Sequence, residues 1–124
     1  MEKKDKRRIL VVDDSSFTRK RIIQILKSGG HEIIGEAKDG AEAVEIFKKH
    51  KPNLITMDVT MRGKDGITAA KEILALNPEA NIIFVSMLED ERHRDDMENL
   101  GAVGYVNKKN FRDVLELIET IDEE

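Results

Sequence analysis

Five side chains could do chemistry together if the fold brings them to one place: Asp13, Asp14, Asp58, Ser86 and Lys108. Each lies at or just beyond the end of a short, mostly apolar run: ILVV before Asp13 and Asp14, LITM before Asp58, IIFV before Ser86 and GYV a residue ahead of Lys108. Singly they say little, since an Asp-Asp-Ser-Ser run can be a helix cap, and a serine or a lysine pair after a strand is common. Together they are three carboxylates, a hydroxyl and an ammonium. Three carboxylates within about 4 Å of one another, at an effective dielectric near 20, repel by about 4 kcal/mol per pair. Such a cluster requires protons or a cation. With oxygen ligands alone and room for water, Mg²⁺ (or Mn²⁺) is the natural choice, since it takes one or two carboxylates plus a phosphoryl oxygen. The chemistry this suits is in-line phosphoryl transfer to a carboxylate nucleophile. Asp58, central on its strand, is the best-placed acceptor. Ser86 could donate a hydrogen bond to the new phosphoryl group, and Lys108 could pair with its charge.

Elements able to position such a set are legible in the apolar pattern. Short runs at Ile9–Val12, Glu32–Gly35, Leu54–Met57, Ile82–Val85 and Gly104–Val106 predict five strands. The first, third and fourth are apolar at nearly every position, as strands buried on both faces should be. Between them lie amphipathic segments. Ser15 or Ser16 can cap a first helix carrying Phe17, Ile22, Ile25 and Leu26, which stops at Gly29-Gly30. Ala41, Val44 and Phe47 mark the second helix, and Ile67, Ala70, Ile73 and Leu74 the third. Phe111, Val114, Leu115, Ile118 and Ile121 mark the last. The fourth segment, EDERHRDDMENLG, offers only Met97 and Leu100 as anchors before Gly101 and should be the least firmly packed. Five βα units in succession imply one parallel sheet with helices on both faces, and ligands in such sheets sit beyond the carboxyl ends of the strands.

Composition narrows the function classes. The 124 residues fit one domain, with residues 1–7 read as a charged amino-terminal tail. A net charge of −4 gives no overall nucleic-acid footprint, and the absence of cysteine excludes disulfide and thiolate chemistry. The longest apolar stretches are too short for a membrane span, so a cytoplasmic location is expected. His31, His50 and His93 show no ligand spacing and read as surface residues, while Gly63 and Gly66 read as loop punctuation.

The pieces ILVVDDS, LITMDVTM with the later DG, IIFVS and GAVGYVNK jointly resemble the response-regulator receiver family, the CheY-like domains, from about Arg8 to Ile121. The resemblance implies a flavodoxin-like α/β fold with strand order 2-1-3-4-5. It also implies that Asp13 and Asp14 are the acidic metal-binding pair and Asp58 the phosphorylated residue. The Thr60 backbone carbonyl would complete the metal shell, and Ser86 and Lys108 would contact the phosphoryl group. Tyr105 matches an aromatic position that rotates inward on activation, and Thr60 and Leu88 match two positions that tune hydrolysis.

The sequence departs from the family pattern at three places. Arg62 stands where a proline is usual, four residues after Asp58; it can supplement the phosphate contacts or point to solvent. Lys109 replaces the proline that normally follows the lysine through a cis bond. A non-proline cis bond costs about 2.5–4 kcal/mol, so a trans Lys108–Lys109 bond is expected. Met87 stands where a small residue is usual and is expected to crowd the entrance to Asp58, slowing phosphorylation by small donors or slowing hydrolysis. Leu88 offers no hydrogen bond to an attacking water, which also favours a longer-lived phosphoryl state.

The resulting expectation is a phosphorylation switch rather than an enzyme, one that assists its own phosphorylation and dephosphorylation. A histidine kinase donates to Asp58, and the output is docking of a protein partner on helix 4, strand 5 and helix 5, since no further domain follows Glu124. Chemotaxis regulators that bind a flagellar motor switch are the nearest type; a stand-alone receiver in another phosphorelay, or a degenerate receiver that binds partners unphosphorylated, are the alternatives. A haloacid-dehalogenase-type hydrolase would need an aspartate two residues after Asp58, where Thr60 stands. A flavodoxin would have to seat a phosphate beside Asp13 and Asp14, which would repel it.

Overall fold

The computed structural model describes residues 6–61, 63–87 and 91–121, with backbone only for 91–93. Chain order is β1 (Arg8–Val12), α1 (Ser16–Ser28), β2 (Glu32–Ala37), α2 (Gly40–His50), β3 (Leu54–Asp58), α3 (Gly66–Leu76), β4 (Ile82–Ser86), α4 (Glu91–Asn99), β5 (Gly104–Asn107) and α5 (Asp113–Thr120), with a 3₁₀ turn at Lys108–Asn110 before α5. The five strands pair in parallel in the order β2-β1-β3-β4-β5, as expected for a flavodoxin-like sheet.

The continuous apolar runs are explained by two cores. Successive strand residues point to opposite faces. Leu10, Val12, Ile55, Met57, Ile82 and Phe84 meet α2, α3 and Met97 of α4 on one side. Ile9, Val11, Leu54, Ile83 and Val85 meet α1 and α5 on the other. A strand covered on both faces has no position left for polar alternation. The first three helices start on side-chain caps: Ser15, Asp39 and Asp65 accept the amides of Thr18, Glu42 and Thr68. In α4, Met97 is the one described side chain that is buried, in keeping with the expected weak anchoring.

Six expectations need correction. Phe17 is 70% exposed and not part of the core stripe. At 3.6 residues per turn, nine residues separate it from Leu26 by about half a turn, so the two face opposite ways. Strand β2 runs on to Ala37, and β5 to Asn107. Arg7 is buried rather than part of a loose tail: its amide donates to Nδ1 of His31 at 3.0 Å, and its carbonyl accepts the amide of Glu32. His31 is accordingly half-buried rather than a surface histidine, and burial pushes its pKa down, with the charge of Arg7 acting the same way. The final helix begins at Asp113, leaving Phe111 in the turn before it.

Candidate functional site

The sheet register gathers the chemistry. Val12 of β1 pairs with Met57 of β3, so Asp13 and Asp58 each stand one residue further along neighbouring strands. Asp58 pairs with Val85 of β4, which places Ser86 one step beyond, and Ser86 pairs with Asn107, immediately before Lys108. The five residues singled out by type therefore stand along one edge of the sheet, with Asp14 exposed at its rim.

Asp13 is fully buried, Asp58 and Ser86 nearly so. Lys108 reaches across the edge: its Nζ lies 2.8 Å from Asp13 Oδ2 and 3.3 Å from Asp58 Oδ2. Asp13 is held on every side. Its amide donates to the Ala37 carbonyl at 3.0 Å, its Oδ1 accepts the Ser15 amide at 2.9 Å, and its Oδ2, buried without a hydrogen bond of good angle, has the ionic contact with Lys108.

Burial pushes Asp58 up to about 7, with the charge of Asp13 adding to it and Lys108 pulling the other way. Burial acts to lower the pKa of Lys108, but its close contacts with the Asp13 and Asp58 carboxylates outweigh it, so the ammonium is held charged. The carboxylates of Asp13, Asp14 and Asp58 offer oxygens within 4.8 Å of one another. Three carboxylates against one ammonium leave two negative charges, the charge that one divalent cation would neutralise. An all-oxygen donor set with one solvent-facing member fits a hard cation that keeps part of its water, as Mg²⁺ does.

The other expected residues are placed as follows. Thr60 is exposed in the loop after β3. Met87 is 57% exposed directly after Ser86. Arg62 and Leu88 lie outside the described residues. The Lys108–Lys109 bond is trans, and Asn107 Oδ1 accepts the Lys109 amide at 2.8 Å to start the 3₁₀ turn. Tyr105 is half-buried beside α4, with the Arg94 guanidinium 5.6 Å from its ring centroid. A groove of 270 Å³ lies alongside, lined by Arg94, Met97, Glu98, Ala102 and Tyr105 among others.

Two residues near the site were not singled out for it by type. Gly66, read as loop punctuation, packs against the backbone of Asp58: its amide donates to the Val59 carbonyl at 2.9 Å, and a Cβ there would run into the Asp58 carbonyl. The DG pair at 65–66 was the available clue, since Asp65 caps α3 and only glycine allows so close an approach. Arg19, on α1, touches the Asp13 backbone.

The sequence model of the response regulator receiver domain matches residues 9–121. The chain is 45% identical over 112 residues to the chemotaxis protein CheY of Bacillus subtilis, covering 90% of this chain and 93% of that protein. It is 41% identical over 101 residues to protein CcdB of the same organism, covering 82% and 84%. Among solved structures, a CheX–CheY–BeF₃–Mg²⁺ complex from Borrelia burgdorferi superposes with a TM-score of 0.89 at 35% identity, over 94% of this chain and 90% of that one. Matched along most of its length and built on the same parallel five-stranded sheet, the chain belongs to the response regulator receiver domain family.

Proposed function

We propose that the protein is a stand-alone response regulator in which Asp58 accepts a phosphoryl group from a histidine kinase. The observation that carries this reading is the buried Asp58 carboxylate flanked by Asp13 and sharing the Lys108 ammonium. Asp13, Asp14, Asp58 and the Thr60 carbonyl would hold Mg²⁺, or Mn²⁺ in its place. When bound, the ion supplies charge neutralisation and orientation for transfer to Asp58. Lys108, poised between two carboxylates, exchanges its contact with Asp58 Oδ2 for a phosphoryl oxygen once Asp58 is modified. Ser86, one register step away, donates its hydroxyl to the same group. The added charge of about −1.5 to −2 then biases a two-state surface. Tyr105 and the sparsely anchored α4 are the elements it acts on, and the groove beside them, with β5 and α5, is where a protein partner docks. The role is a switch that assists its own phosphorylation and dephosphorylation rather than turnover of a separate substrate.

The likeness to CheY proteins supports a chemotaxis role; docking of the motor-switch type, action in the cytoplasm and no contact with nucleic acid complete the proposal. No helix among the described residues is long and apolar enough to cross a membrane. A non-chemotaxis phosphorelay is the second reading, since a comparable identity is shared with protein CcdB, whose name carries no chemotaxis role. The test is intact-mass measurement after incubation with acetyl phosphate, with and without Mg²⁺, for wild type and Asp58→Asn. One phosphoryl group is expected, dependent on Mg²⁺ and absent from the variant. An unchanged mass in all samples refutes the phosphoacceptor reading and leaves a receiver that binds its partners unmodified.

A further inference from the structure

We propose that Arg19 is a positioning residue of the acidic pocket: its guanidinium pins the main chain of Asp13 and so sets the Asp13 and Asp14 carboxylates, two of the three that would hold the divalent cation. The inference rests on the metal-holding reading of Asp13, Asp14 and Asp58. Arg19 lies one turn into α1, where its amide donates to the Ser15 carbonyl at 2.9 Å. From there Nη1 donates to the Asp13 carbonyl at 2.7 Å, and Nε donates to Glu36 Oε1 at 2.8 Å. The side chain is only 17% exposed.

The contact with the carbonyl acts at a leverage point. The carbonyl of Asp13 and the amide of Asp14 belong to one rigid planar unit, so fixing the oxygen fixes how the two acidic residues are disposed. A guanidinium hydrogen bond is short and about twice as strong as a neutral one, which suits it to that task. The other contacts of Asp13 leave this peptide plane untouched: the amide is bound to Ala37, Oδ1 to Ser15 and Oδ2 to Lys108. Glu36 completes the device. Placed at an exposed position of β2, it neutralises the guanidinium, so the pin brings no uncompensated positive charge towards a site meant for a cation. The fork also matches arginine specifically, since one side chain must reach a carbonyl just past β1 and a carboxylate on β2 at once.

The test separates position from charge by removing the pair together. Mn²⁺ binding is measured by the loss of the free-ion electron paramagnetic resonance signal for wild type, Asp13→Asn, Arg19→Met/Glu36→Gln and Arg19→Lys, with circular dichroism checking the fold of each. The double variant leaves the net charge unchanged and is expected to bind Mn²⁺ about tenfold more weakly, the low end of the loss seen when an outer hydrogen bond to a ligand is removed. Arg19→Lys, able to reach one acceptor and not both, is expected to lose about threefold. In acetyl phosphate assays the half-saturating Mg²⁺ should rise in parallel, while the rate at saturating Mg²⁺ stays within about twofold. Mn²⁺ affinity of the double variant within twofold of wild type overturns the proposal, as does a lower saturating rate with unchanged Mg²⁺ dependence. Should the double variant not fold, wild-type affinity in Arg19→Lys overturns it. If wild type itself takes up no Mn²⁺, or Asp13→Asn binds like wild type, the metal-holding reading fails instead.

Discussion

Replacing Asp58 by asparagine should stabilise the fold, and by an amount that grows with pH. Asp58 is nearly buried beside Asp13, and burial first, then that neighbour's charge, lifts its pKa from 3.8 to about 7. An acid whose pKa is raised by folding holds its proton more tightly in the folded chain than in the unfolded one. Its contribution therefore favours the fold below pH 4 or so and is lost as the pH climbs through 7. Integrated between pH 5 and pH 8, the shift amounts to about 2–3 kcal/mol of lost stability. Asparagine keeps the size and shape and never ionises, so it escapes that loss. For a chain of this length the melting temperature of Asp58→Asn should exceed that of wild type by about 6–10 °C more at pH 8 than at pH 5. Thermal unfolding followed by circular dichroism, in the absence of divalent ions, measures the two gaps. Saturating Mg²⁺ should then close the pH 8 gap by binding the folded wild type more tightly than the variant. Equal gaps at pH 5 and pH 8 would show that Asp58 is not electrostatically strained, and the account of the pocket as two charges short would fall with it.

Gly66→Ala should cost about 2–3 kcal/mol and lower the rate of phosphorylation by acetyl phosphate, because the added methyl must push α3 away from the Asp58 carbonyl. Denaturant unfolding and the acetyl phosphate assay check the two halves, and wild-type stability would mean that α3 does not sit so close to the site. Met87→Ala should speed phosphorylation by small donors by about two- to fivefold, equivalent to about 0.4–1 kcal/mol on the barrier. Unchanged phosphorylation and hydrolysis rates would remove any crowding role for Met87.

Much of this architecture was legible because burial on both faces leaves a strong imprint: Ile9–Val12, Leu54–Met57 and Ile82–Val85 could hardly be anything but inner strands. The gathering of the candidate residues could be read for a related reason, since charged and hydroxylic side chains at the ends of such strands stand out. Most of the misses share a cause. Arg19 and Gly66 act on main-chain carbonyls, and a backbone acceptor is present at every residue, so neither partner is marked in the sequence. Arg7 and His31 meet through a backbone amide 24 residues away. Phe17 was misplaced because an aromatic near an apolar stripe was assigned to it, although its helical phase puts it on the other side. The contacts of Lys108 were half legible: its charge suggested an anionic partner, but its contact with Asp13 depends on a turn that begins on Asn107.

The sheet register has a consequence for how the pocket tolerates error. Asp13, Asp58 and Ser86 owe their alignment to hydrogen-bonded ladders between β1, β3 and β4 rather than to loops. One residue along a strand is a displacement of about 3.3 Å, the same as the distance from Lys108 Nζ to Asp58 Oδ2. A single-step slip would also turn every side chain of the strand to the opposite face. The smallest misalignment open to the ladder would thus abolish the ion pair and expose the core in the same stroke. The pocket works like a vernier cut into the frame of the molecule: it reads true when the frame is assembled, and a chain with its strands out of step has no partly aligned pocket to offer.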